Sequence, residues 1–285
     1  MSILKISNMN ISIGGETKIE DAAFEINNGD VILFAGPNGS GKSTIIKLIM
    51  GDVFDYPSLH FGATKITYCQ NDVEYDLLSS ERNMEHFRQS VCYISQDDEF
   101  ESTSMMDCFL TSLSHYDIEE KEQYAFNFVK RHSVAESFYL SGEPKNLDRK
   151  GKAILKKVGL DTDTKTDDIK AAKFLSLNTR HLSGGQKKLA NILANLVRYE
   201  FCDLIILDEP LNNLDYENVR SFSNILNQVY KEKPHLGILL VTHCRSIPIV
   251  NRMLEIDTQS KTISETAEYR CNSCFGAVDT NGMYR

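Results

Sequence analysis

Residues 36–43 read Gly-Pro-Asn-Gly-Ser-Gly-Lys-Ser, a set of types and spacings suited to holding phosphate. The glycines let backbone N–H groups turn inward around an anion. A helix opening directly afterwards adds partial positive charge at its N-terminus. Lys42 can reach the β- and γ-phosphates, and the Ser43 hydroxyl is a ligand for Mg²⁺. Gly36, Pro37, Asn38, Gly39, Ser40, Gly41, Lys42, Ser43 and Thr44 are therefore expected to bind the phosphates of a nucleotide.

Two further groups belong to the same chemistry. Residues 204–210, LIILDEP, form an apolar run ending in paired carboxylates. Asp208 would hold the metal through water, and Glu209 could polarise an attacking water. Residues 181–188, HLSGGQKK, place Ser183, Gly184, Gly185 and Gln186 at the opening of an expected helix. That again suits an anion, about 140 residues beyond a loop already built for one.

The elements that must position these groups are legible as short apolar or alternating runs. Strands are expected at residues 3–6, 23–26, 31–35, 65–68, 91–94, 204–207 and 237–241, with two more around a polar turn in MLEIDTQSKTIS. Helical periodicity marks residues 43–50, 117–132, 150–158, 187–197 and 216–230. The early strands predict a partly antiparallel layer, and the later strand–helix alternation a parallel α/β core. Between residues 97 and 182 the pattern turns mainly helical, with residues 141–144 and the polar run 161–168 read as loops. The expected division is a core at 1–96 and 183–265, a helical insertion at 97–182 that leads into the 183–186 loop, and a tail at 266–285.

Composition narrows the partners. With 31 basic against 40 acidic residues and a net charge of −9, a general nucleic-acid surface is not expected. The chain opens MSILKISNMN, which alternates like a strand and does not resemble a signal peptide. Apolar stretches run for only a few residues, against the ~20 that a membrane-spanning helix needs. Seven cysteines are mostly scattered singly in apolar segments and read as reduced thiols. Cys271 and Cys274 stand at ligand spacing, but no second pair completes a zinc site.

GPNGSGKST, LSGGQ, LIILDEP, the following LNNLD and the VTH at residues 241–243 occur in the order found in ABC-type ATPases. The chain resembles that family over roughly residues 3–265. The resemblance implies a P-loop NTPase core with an antiparallel β-subdomain and an inserted mainly helical subdomain. It implies ATP and Mg²⁺ as cofactors. Gln96 resembles the glutamine that senses the metal or the attacking water, with Gln70 a competitor only 28 residues past Lys42. His243 resembles the switch histidine that contacts the γ-phosphate, and Asp215 the loop through which subunits touch. Ser183, Gly184, Gly185 and Gln186 then act in trans, closing a site on a second ATPase subunit.

The chain also departs from the family pattern. Ile13 stands where an aromatic residue usually stacks on adenine, which leaves base selectivity open. The 86-residue interval from Gln96 to Leu182 is longer than a minimal member needs. The resemblance implies the ATPase subunit of a transporter, peripheral on the cytoplasmic face of a membrane through a separate transmembrane subunit. The alternative is a soluble ATPase of the iron–sulfur cluster assembly type, which shares the long helical insertion and a basic pair like Lys187-Lys188. A catalytically silent module is disfavoured, because Lys42, Asp208, Glu209 and His243 are all present.

Overall fold

The computed structural model describes residues 1–52, 58–62, 64–95, 103–140, 142–143, 146–212, 214–242 and 248–266. Gln96, His243, Cys271 and Cys274, and the expected tail beyond Thr266, lie outside the described residues. The chain divides into two compact units, one of residues 1–96, 201–210 and 233–285, the other of residues 97–200 and 211–232.

The first unit is built on two sheets. In one, β1 (Ser2–Ile13) pairs antiparallel with β2 (Glu16–Asn27). The other has β3 (Val31–Ala35) among its central strands. Two short strands, β4 (Leu59–His60) and β5 (Lys65–Gln70), flank β1, and β6 (Val73–Asp76) pairs with β5. The second sheet adds β7 (Val91–Ile94), β8 (Leu204–Asp208), β9 (Gly237–Val241), β10 (Arg252–Asp257) and β11 (Thr262–Glu265). Its order is β11-β10-β3-β9-β8-β7, parallel except for the β10–β11 hairpin. VILFA, LIILD and GILLV are buried at every position, as strands covered on both faces must be. Helices α1 (Lys42–Met50) and α2 (Glu81–Gln89) complete the unit.

The start of β8 is a junction. The Asp203 carboxylate accepts from the Tyr68 hydroxyl at 2.6 Å and the Gln70 amide at 2.9 Å. Its backbone N–H donates to Ser90 O at 2.8 Å, and its carbonyl accepts from Gly237 N at 3.0 Å. β5, the C-cap of α2 and β9 are thus tied to the strand that carries Asp208 at its other end.

The second unit holds α3 (Met105–Ser112), α4 (Lys121–Arg131), α5 (Arg149–Lys157), α6 (Thr166–Ser176), α7 (Gly184–Leu196) and α8 (Tyr216–Glu232). Phe109, Phe128, Phe138 and Phe174 form a chain of ring contacts through its core. The unit takes in α7 and α8 as well as residues 97–182, because α7 packs on α3 and on α8. The polar run 161–168, expected as loop throughout, already turns helical at Thr166. There Asp168 is buried and bridges to Lys130 at 2.5 Å, which makes a polar stretch an internal one. No helix among the described residues is long and apolar enough to cross a membrane.

Candidate functional site

The expected phosphate loop leaves β3 and enters α1, with Gly41 as the helix N-cap. At Gly36 the backbone has φ 151°, and an added Cβ would lie 2.8 Å from Ser40 Oγ and 3.3 Å from Ile256 Cβ. Only glycine fits there. Lys42 folds back over the loop, donating to Gly36 O at 2.8 Å and Pro37 O at 3.0 Å. Burial pushes its pKa down, against the raising influence of Glu209 and Asp208. Ser40 is 2% exposed, and its hydroxyl has no hydrogen-bond partner among the described residues. A buried hydroxyl without a partner beside a buried ammonium is a cradle that a phosphate fits.

The carboxylate pair meets this loop. Ser43 Oγ donates to Asp208 Oδ1 at 3.2 Å, with α1 packed against β8. Asp208 and Glu209 are 4% and 5% exposed, so they are two buried carboxylates beside one buried lysine. Glu209 adopts a left-handed conformation at φ 50°, fixed by its N–H to Val241 O at 2.7 Å. For a non-glycine residue that conformation costs about 1 kcal/mol and signals a constrained position. The Ser43 hydroxyl and Asp208 carboxylate fit Mg²⁺, a hard cation that takes one or two protein oxygens and completes its shell with water and phosphate. No cluster of three acidic, histidine or cysteine ligands exists among the described residues.

The Ser183 loop lies in the helical unit, whereas the phosphate loop and Asp208 lie in the sheet unit. Ser183 caps α7. Its hydroxyl accepts from Gln186 N at 3.3 Å, while the Gln186 side chain accepts from Ser183 N at 3.1 Å, a reciprocal capping box. Ser183 and Gly184 are exposed. Asp215 accepts from Asn218 N at 2.8 Å at the start of α8. Gln70 is engaged elsewhere, bonding Asp203, Ser90 at 3.3 Å and His86 at 3.0 Å. Ile13 ends β1 partly buried, opposite Glu16 and Leu59. Thr103 and Thr179, which motif reading passes over, join the α3 cap to the turn before Ser183. The capping pattern Ser104-x-x-Asp107 was the available signal for that region.

The chain is similar to several known proteins. An uncharacterized ABC transporter ATP-binding protein, YfmR of Bacillus subtilis, is 28% identical over 91% of this chain and 37% of its own length. The zinc uptake system ATP-binding protein ZurA of Listeria monocytogenes is 26% identical over 85% and 76%. The chain thus spans little more than a third of the first relative and three quarters of the second. Among solved structures, cbiO1 of Clostridium perfringens, part of the ABC transporter complex cbiONQ, superposes with a TM-score of 0.63 at 20% identity, over 92% of this chain and 87% of that one. An ATP-binding cassette of an ABC transporter gives 0.64 at 17% identity, over 93% and 91%. These likenesses show the P-loop NTPase fold. The family model described as ABC transporter matches residues 19–212, about two thirds of the chain, and the chain therefore belongs to the ABC transporter family.

Proposed function

We propose that this chain binds and hydrolyses ATP as the nucleotide-binding subunit of an ABC transporter, driving a separate membrane subunit by ATP-dependent pairing of two ATPase cores. The observation that carries the reading is the contact of Ser43 with Asp208 beside the buried Lys42. It gathers phosphate, metal and carboxylate functions at one end of the parallel sheet. Bound Mg²⁺ would neutralise charge between the β- and γ-phosphates. Lys42 exchanges its two carbonyl partners for phosphate oxygens. Glu209, held rigidly by Val241, orients a water for in-line attack and takes up its proton. Gln96 and His243 are assigned metal or water sensing and γ-phosphate contact by their sequence positions.

Phosphoryl transfer needs compensating charge on every side of the γ-phosphate. Ser183, Gly184, Gly185 and Gln186 are proposed to supply it to the site of a second subunit. Gly184 supports this, because an added Cβ would meet nothing within 4 Å and its φ is not positive. Nothing among the described residues requires glycine there, whereas close approach of a partner's phosphate does. Asp215, at the α8 cap, is proposed to line the same junction.

Both relatives named above are named as ATP-binding proteins, one of an ABC transporter and the other of a zinc uptake system. They favour a transport role at the cytoplasmic face of a membrane, in the import direction, and none points to iron–sulfur cluster assembly. The test is steady-state hydrolysis of Mg–ATP by the purified chain, with Glu209→Gln as control. Turnover falling by about 10²-fold or more in the variant supports the assignment, and equal rates refute it. Co-purification with a multi-spanning membrane protein in detergent supports transport, and a wholly soluble complex contradicts it.

A further inference from the structure

Within the helical unit, two segments far apart in sequence are joined by backbone pairing outside any regular sheet. Ser104 and Asn178 form an isolated antiparallel bridge. Around it, Met105 N donates to Leu177 O at 2.9 Å and Thr179 N donates to Thr103 O at 3.0 Å. A side chain closes the set, with Thr103 N donating to Thr179 Oγ1 at 3.2 Å. Thr179 is buried, although Arg180 and His181 after it are exposed.

Each side of the bridge leads directly to a helix start. On one side Ser104 caps α3 in a capping box with Asp107, which also accepts from the Thr103 hydroxyl at 2.7 Å. On the other, residues 179–181 form a tight turn, in which His181 N donates to Asn178 O and Leu182 N to Thr179 O. The next residue is Ser183, the cap of α7. The spacing leaves no slack, since only three residues lie between Thr179 and Ser183. Thr103 in turn follows Gln96 by seven residues. Two segments each bound rigidly to a helix cap, and to each other by three hydrogen bonds, move together.

We propose that Thr179 is a positioning residue for the hydrolytic reaction, holding the Ser183–Gln186 loop in register with the N-terminus of α3 through its bonds to Thr103. Displacement of the N-terminus of α3 is then delivered to the loop that closes the partner's site. This rests on the proposed trans role of that loop. The bridge itself does not depend on that role, and the test separates the two.

Thr179→Val keeps shape and β-branching but removes the acceptor of the Thr103 amide, whereas Thr179→Ser retains it. In the full chain, Thr179→Val is expected to lower kcat about tenfold, the scale of one inward-facing donor left without an acceptor. Affinity for ATP should stay within about twofold, and Thr179→Ser should recover most of the rate. Amide hydrogen exchange at residues 183–186 should quicken in the valine variant and return to normal in the serine variant. Wild-type kcat and exchange in Thr179→Val would overturn the proposal, as would a serine variant as impaired as the valine one. Altered exchange with unchanged kcat would retain the bridge and reject its role in the reaction. A wild-type chain without ATPase activity would instead reject the function proposed above, leaving exchange to decide the bridge.

Discussion

The Ser43 hydroxyl donates to Asp208 Oδ1 at 3.2 Å, joining the first turn of α1 to the last residue of β8 across 165 positions of sequence. The strand order explains how. β3, which launches the phosphate loop, and β8, which delivers the carboxylates, both pair in parallel with β9, so their C-terminal ends emerge at one edge of the sheet. Loops at that edge of a parallel sheet are where such folds bind ligands.

The pair has a direct consequence for metal dependence. Ser43→Ala removes one of the protein oxygens proposed to hold Mg²⁺. Affinity for Mg–ATP is expected to fall about tenfold or more, while ATP measured in excess chelator binds wild type and variant alike. Calorimetric titration with and without chelator checks this. Equal Mg–ATP affinities would refute the placement.

Lys42 is buried without an ion pair to a described residue, and its ammonium is satisfied by two loop carbonyls. Replacing it should cost function far more than stability. Lys42→Met is expected to lose ATP affinity by about 100-fold or more with the thermal midpoint changed by no more than about 3 °C. Thermal unfolding followed with and without ATP reads both quantities, since only a chain that binds ATP gains a higher midpoint.

Ile13, at the end of β1, is proposed to offer the base an aliphatic surface where aromatic stacking is usual in this family. Ile13→Tyr is expected to tighten ATP binding several-fold, about 1 kcal/mol of aromatic preference. An unchanged affinity in a fluorescence titration would remove stacking from the account.

The helical unit carries an acid-sensitive group. His132 is buried against Phe128 and Tyr199, with Nδ1 3.3 Å from Gln228 Oε1 and Nε2 3.8 Å from Glu232. Burial lowers its pKa, opposed by Glu232 and Gln228 and reinforced by Arg131. The fold therefore favours the neutral ring, and the unfolded chain binds the extra proton. Stability is unaffected above about pH 6.5 and falls as pH drops below it, by up to ~1.4 kcal/mol per unit. Glu232 acts in a lower window. Burial would raise its pKa, but Tyr199, His132 and Arg131 hold it below the usual carboxylate range, so its loss begins below about pH 4.5. In His132→Phe the decline between pH 6.5 and 5 should flatten in denaturant titrations, leaving the lower one.

Legibility followed burial. VILFA, LIILD and GILLV stand out in the sequence because covered strands must be apolar throughout, and the phosphate loop because its glycines answer to geometry. β6 went unseen because Val73 and Glu74 are exposed at a sheet edge and alternate too weakly. α2 was hidden by charge, since only Met84 and Phe87 of its nine residues are buried. The Ser80 cap, Glu81 in the first turn and Arg88 in the last are its local signals. α6 was masked by Asp167 and Asp168, which read as loop until Lys130 is brought to one of them by tertiary packing. The Thr103–Thr179 tie is a relation between distant backbones, and no periodicity within either segment encodes it.

The central claim is that Ser183 and its glycines complete a site on another subunit. Light scattering of Glu209→Gln with Mg–ATP measures it most directly. The mass is predicted to rise from 32.3 kDa to about twice that value, and to remain at 32.3 kDa when Gly184→Val is added, with ATP still bound and the thermal midpoint unchanged. A Glu209→Gln chain that stays monomeric with ATP bound, or a Gly184→Val double variant that still dimerises, would contradict it.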